Sequence, residues 1–256
     1  MDSFPVAYLV LAAAAFMAGT MDAVVGGGGL IQIPALFSVF PQSVPATLLG
    51  TNKLSGIWGT AFAARAYAKR IHIDWSIALP TAAAAFLFSF LGAKAVMVLP
   101  HVLVRQALPF ILLLVAAYVF FRKDLGTVHS PRQYGHRQKW LAFGLGSGIG
   151  FYDGFLGPGT GSFLIFLFVR VFGFDFLRAS AAAKVVNVAC NLSALLLFGF
   201  SGHILWQLGL LMAVCNIAGS IVGTRLALTR GSAFIRKAFL LVFAALIIKT
   251  ALSAFW

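Results

Sequence analysis

Lys53 and Lys184 lie deep in apolar stretches of this 256-residue chain, as do Asp22 and Asp153, and the members of each pair are 131 positions apart. A lysine in such surroundings costs at least ~2.5 kcal/mol on insertion scales and calls for a negative partner. Two partners fit: a bound anion, or the two aspartates, which are the only acids inside apolar runs. Each aspartate precedes a glycine-rich break, in MDAVVGGGGL from Met21 to Leu30 and YDGFLGPGTG from Tyr152 to Gly161. A carboxylate at that place either couples protons or accepts hydrogen bonds from backbone freed by the break.

The breaks themselves carry chemistry. Glycine permits left-handed backbone and close approach, and a helix that starts just after it presents free N–H groups with partial positive charge, a setting suited to an anion. Gly27, Gly28 and Gly29 in the first break and Gly159, Thr160 and Gly161 in the second are candidate anion contacts. Thr51 and Asn52 beside Lys53, and Asn187 and Asn191 beside Lys184, add uncharged donors; the two asparagines are four apart and share one helical face. Gln32 and Ser162 offer the same chemistry at the breaks. Two simpler readings stand beside these: the glycines allow tight helix packing, and the lysines reach a membrane interface or form structural ion pairs. No zinc motif, nucleotide loop or Ser/His/Asp arrangement is present, so neither an enzyme nor a metal or other cofactor is expected. Cys190 and Cys215 read as packing residues.

The elements that must position these groups are helices in a bilayer. Hydrophobic residues make up 61% of the chain and charged ones 10%, outside the range of soluble domains. Apolar runs at 4–25, 47–68, 75–99, 102–121, 140–156, 177–200, 204–228 and 233–255 are each long enough to cross or nearly cross the hydrocarbon layer as helices. Strand-like alternation is missing, which disfavours a barrel. The opening segment reads as a retained first helix rather than a removable signal peptide. Trp75 and Trp206 begin helices and suit interface anchors. A net charge of +13 reflects basic loops; no soluble basic region exists that would take up nucleic acid.

A constant offset of 131 relates the two halves beyond the four charges: Gly19, His72, Trp75, Ser89, Gly92 and Arg105 meet Gly150, His203, Trp206, Ser220, Gly223 and Arg236. The chain therefore reads as an all-α polytopic membrane protein of two homologous halves, residues 1–121 and 140–256, joined by a polar loop at 122–139. Each half holds about four transmembrane helices and one short apolar piece, Leu30–Phe40 or Ser162–Phe172, which spans only about half the hydrocarbon layer. Such a piece either re-enters or completes a crossing. In the second case Arg65, Lys69, Arg70, the basic residues of 122–139, Arg170, Arg178, Arg225, Arg230, Arg236 and Lys237 share one side, while Lys94 and Arg105 take the other. That asymmetry favours inverted repeats with both termini outside.

The segments AGTMDAVVGGGGLIQIPAL, GTNKLSGIWGT, GFYDGFLGPGTGSFLIF and AKVVNVACNLSAL resemble the TauE/SafE family of sulfite exporters and related anion carriers over nearly the whole chain. The resemblance implies secondary transport, with export the favoured direction, of sulfite, thiosulfate, sulfonates or other organic anions across the cytoplasmic membrane of bacteria. The halves depart from each other where Thr51 and Asn52 face Ala182 and Ala183, and where Gly27 faces Pro158. The expected mechanism is alternating access around a midplane anion site, with protons as a candidate coupling ion at Asp22 or Asp153. A passive anion channel and a non-transporting membrane subunit are the alternatives. The oligomeric state is open.

Overall fold

A computed structural model describes residues 3–107, 110, 135 and 137–254. Most of the expected span at 102–121 and most of the connecting loop at 122–139 lie outside the described residues, as does Trp256. Eight helices have defined ends: α1 (Ser3–Val25), α2 (Gly29–Val39), α3 (Pro45–Ala68), α4 (Trp75–Val98), α5 (Arg137–Phe155), α6 (Thr160–Phe172), α7 (Phe176–Phe200) and α8 (Trp206–Ala254). A further helical stretch begins at 101. No strand occurs among the described residues.

Local chemistry sets the helix ends. Pro45 opens α3, where its missing N–H has no helical acceptor to lose. Asp74 caps α4 by accepting from the N–H of Ser76 at 3.0 Å, and Asp175 caps α7 by accepting from Leu177 at 2.9 Å and Arg178 at 3.0 Å. The stretch α8 is two helices meeting at Gly231, whose φ of 71° and ψ of −169° interrupt the ladder, in keeping with the separate runs expected at 204–228 and 233–255. The residues between them are Thr229, Arg230, Gly231 and Ser232, and the backbone leaves the helical region at the glycine.

Among the described residues, four stretches are long and apolar enough to cross a membrane: Val6–Val25, Trp75–Val98, Phe176–Phe200 and Trp206–Gly231. Helices α3, with 24 residues, and α5, with 19, match a bilayer in length but are more polar along their length, with Asn52, Lys53 and Arg65 in α3 and Arg137, Gln138, Lys139 and Asp153 in α5. Helices α2 and α6 have 11 and 13 residues, close to the short pieces expected, and rise only about 16 and 20 Å.

Polarity is arranged as a membrane demands. Leu9 is 71% exposed, Val214 67% and Phe200 90%, whereas Lys53, Lys184, Asp153, Thr51, Asn187, Asn191 and Asn216 are buried. A bilayer satisfies the first group, and only protein or enclosed water can satisfy the second. Helix α1 packs chiefly on α8, and α4 chiefly on α5. Helices α3 and α7 touch along the middle and bridge these two pairs, α3 to α8 and α7 to α4, with α2 lodged against α1 and α3 and α6 against α7. The two short helices are thereby walled by long ones.

Candidate functional site

The two glycine breaks meet at the centre of the molecule. Gly26 takes φ +78°, and a Cβ added there would stand 2.3 Å from the carbonyl carbon of Gly161. The reverse contact is as close, 2.5 Å from a Cβ on Gly161 to the Gly26 oxygen. No side chain fits at either place. Backbone released by the breaks finds partners: Ser162 N–H donates to the Gly26 carbonyl at 3.0 Å, Ser162 Oγ to Val25 at 2.8 Å, Tyr67 Oη to Ala23 at 3.0 Å, and Tyr152 Oη to Pro158. The breaks are thus held against each other by hydrogen bonds, as non-helical backbone inside a membrane must be.

Beside this contact lies a cavity of about 40 Å³, walled by Asp22, Gly26, Gly28, Gly29, Gln32, Asn52, Lys53, Gly56, Thr60, Asp153, Gly157, Thr160, Gly161, Asn187, Asn191 and Asn216. Space of that size holds about three waters. Both short helices start at its wall, α2 after Gly28 and α6 after Gly159. The N–H groups of Gly28, Gly29 and Gly161 reach no backbone acceptor among the described residues, so the positive ends of two helices converge on one small chamber.

The charges pair across the molecule. Lys53 of α3 donates to the carboxylate of Asp153 on α5, and Lys184 of α7 donates to Asp22 of α1, at 3.0 Å to Oδ2 and also to the backbone carbonyl. Thr60 adds a bond to the same Asp22 oxygen at 3.1 Å. Gly157, with φ +81°, is the position that makes the other pair fit, since a Cβ there would lie 3.0 Å from Lys53 Nζ. The lysines therefore answer to the aspartates, the second of the two partners the sequence allows. The two ion pairs together, counting Lys184 behind the wall, sum to zero formal charge, and with both pairs closed the attraction for an anion comes from N–H donors.

Of the residues expected from sequence, Gly28, Gly29, Asn52, Lys53, Thr160, Gly161, Asn187, Asn191, Asp22 and Asp153 line this chamber. Gly27, Gly159, Thr51 and Lys184 do not. Thr51 is occupied structurally: its hydroxyl donates to Thr47 at 2.7 Å and accepts from Leu205 N–H at 3.0 Å. Lys184 is fully buried behind Asp22. Thr60 and Asn216 belong to the wall yet stood outside the expected set. Asn216 donates to Gln32 Oε1 and to the Ala15 carbonyl, both at 3.3 Å. The amide nitrogen of Gln32, a residue 1% exposed, has no partner among the described residues. A buried amide of that kind is either solvated by enclosed water or waits for a ligand. The offset alone could not find Asn216, because its counterpart 131 positions earlier is Ala85.

An all-helical membrane protein whose two interrupted helices close on a polar chamber is built as a membrane transporter. The chain belongs to the sulfite exporter TauE/SafE family, which matches residues 11–250. Among its relatives, a probable membrane transporter protein, ORF9, of a Sinorhizobium species is 38% identical over 236 residues, 92% of this chain and 89% of that one. A probable membrane transporter protein of Haemophilus influenzae is 36% identical, over 89% of this chain and 88% of its own length. The probable membrane transporter protein YfcA of Escherichia coli K12 is 36% identical, over 91% and 85%. No solved structure matches the chain.

Proposed function

We propose that this transporter exports small sulfur-containing or organic anions, such as sulfite, thiosulfate or sulfonates, across the bacterial cytoplasmic membrane. The observation that carries the reading is the chamber, where two helix N-termini and the carboxamides of Gln32, Asn52, Asn187, Asn191 and Asn216 surround a space of a few waters. An oxyanion of the sulfite or sulfonate type accepts hydrogen bonds on several sides and replaces those waters one for one. Asn52, Asn187 and Asn191 orient it, Gly28, Gly29 and Gly161 give backbone N–H, and Lys53 gives positive charge. The remaining members of the expected set, Gly27, Thr51, Gly159 and Lys184, shape the wall from behind.

Alternating access by two inverted repeats moves the anion past this point. The offset supports it at the level of contacts: Lys53–Asp153 and Asp22–Lys184 are the same pair read from either half. Ser89 Oγ donates to the Cys190 carbonyl at 3.0 Å, and its counterpart Ser220 donates to Gly59, the counterpart of Cys190, at 2.6 Å. Such reciprocity is what a pseudo-two-fold axis between halves produces. Trp75 and Trp206, about half exposed at the starts of α4 and α8, fit interface anchors on this arrangement.

Purified protein in liposomes tests the assignment. Sulfite, thiosulfate or methanesulfonate should show saturable uptake with counterflow, and should raise the thermal unfolding midpoint of detergent-solubilised protein. Large unitary currents without counterflow would establish a channel, and no response to any of these anions would reject the substrate class.

A further inference from the structure

The two ion pairs are related by sequence offset but are not equivalent in surroundings. Asp22 accepts from both Lys184 and Thr60 on one carboxylate oxygen, and its carbonyl accepts from Lys184 and from Gly26 N–H at 2.8 Å. Lys184 is 0% exposed and lies off the chamber wall. That pair is a staple, fixing the first break to α7. Asp153 and Lys53 both stand on the wall, and Lys53 is the carboxylate's one side-chain donor among the described residues. The position corresponding to Thr60 is Asn191, which makes no bond to Asp153.

An electrically neutral chamber poses a problem for an anion, because a lone charge brought into a space of about three waters loses most of its hydration with no net opposite charge to balance it. A proton arriving with the anion removes the problem. We infer that Asp153 is the proton site of this transporter, that its protonation releases Lys53 to the anion, and that the transported unit is one proton with one monoanion, so that export is driven by the anion's own outward gradient and opposed by an inward proton gradient. The inference rests on the anion-transport reading above. A hydronium ion gives its proton to the Asp153 carboxylate, leaving water and a neutral acid; Lys53 keeps its charge, and the chamber becomes singly positive. A monoanion then binds Lys53, the Gln32 amide and the helix N-termini, and the chamber is neutral again. Only the two neutral states, empty with Asp153 ionised and loaded with Asp153 protonated, can reorient cheaply through the bilayer, and this couples the two solutes.

The groups facing Asp153 leave it this role. Lys53 comes from α3, and the buried Cys190 thiol of α7 is within electrostatic range of both. Tyr152 on its own helix has its hydroxyl committed to Pro158. Across the chamber stands Asp22 with Lys184 behind it, already balanced. Thr160, Asn187 and Asn191 are uncharged.

Methanesulfonate, which stays monoanionic at all working pH values, and sulfite are the probes, in proteoliposomes holding a pH dye. For the wild-type protein a pH gradient should drive accumulation with one proton per methanesulfonate, and a potassium diffusion potential should not change the flux. D153N fixes the site as a neutral amide: gradient-driven accumulation is lost, while one-for-one anion exchange persists without pH dependence. D22N should lose both activities together with thermal stability. Voltage-driven wild-type flux, methanesulfonate movement without protons, or exchange-only behaviour in D22N in place of D153N would each overturn the inference and leave anion transport standing. If D153N fails to fold, the wild-type stoichiometry decides. If neither anion moves in the wild-type protein, the functional reading fails and the inference with it.

Discussion

At the scale of single residues, the two lysines have different amounts to lose. Removing one member of a buried ion pair leaves its partner uncompensated, at a cost of about 3–5 kcal/mol. K184M should show that full loss in chemical unfolding, because Lys184 is entirely buried and holds both the carboxylate and the carbonyl of Asp22. K53M should lose less, since Asp153 borders the chamber and can take up a proton or water, yet K53M should abolish the anion-dependent rise in the unfolding midpoint. Unaltered sulfite binding by K53M would remove Lys53 from the site. Gln32 separates binding from stability in another way. Its Nε2 has no partner among the described residues, so Q32L should cost about 1 kcal/mol of stability, from the lost Asn216 bond, while weakening anion affinity on the order of tenfold.

At the scale of elements, the breaks work by contact as much as by flexibility. G26A adds a methyl where the Gly161 backbone stands 2.3 Å away, in a left-handed conformation that alanine disfavours. The two short helices would be forced apart, and the expected outcome is loss of monodisperse protein on size-exclusion chromatography. G56A is the matched comparison: Gly56 also lines the chamber, but a Cβ there meets nothing within 4 Å. That variant should keep the wild-type unfolding midpoint to within a few degrees and bind the anion more weakly, because the methyl takes space from a chamber holding about three waters.

At the scale of the whole molecule, α1 with α8 and α4 with α5 form two flanking pairs around the α3–α7 contact. Each flanking pair unites a helix from residues 1–121 with one from residues 140–256, so in the alternating-access cycle proposed above each moving part would draw on both halves. On the proposed topology, inverted repeats with five crossings each would place both termini outside. A reporter active only in the periplasm, fused after Trp256, should therefore be active, and one active only in the cytoplasm should be silent; the opposite result would reject this topology.

Much of this protein is legible without coordinates. The helix spans follow from hydropathy over about 20 residues, the breaks from glycine runs at one offset, and the charged quartet from the rarity of Lys and Asp in apolar sequence, all of which are local or statistical properties of the chain. The sequence also narrowed the partners of each lysine to an anion or an aspartate. The choice between them belongs to tertiary structure, because Lys53 and Asp153 are 100 positions apart and meet only when α3 packs near α5. The same holds for the wall of the chamber. Asn216 lies outside every segment that carries the family resemblance and Thr60 ends GTNKLSGIWGT without a role assigned to it, yet both reach the wall through the crossing of α8 and α3, while Thr51, in the same segment, is turned to the backbone of Leu205. Periodicity says which face of a helix is polar; only the packed neighbours say whether that face meets a ligand or another helix.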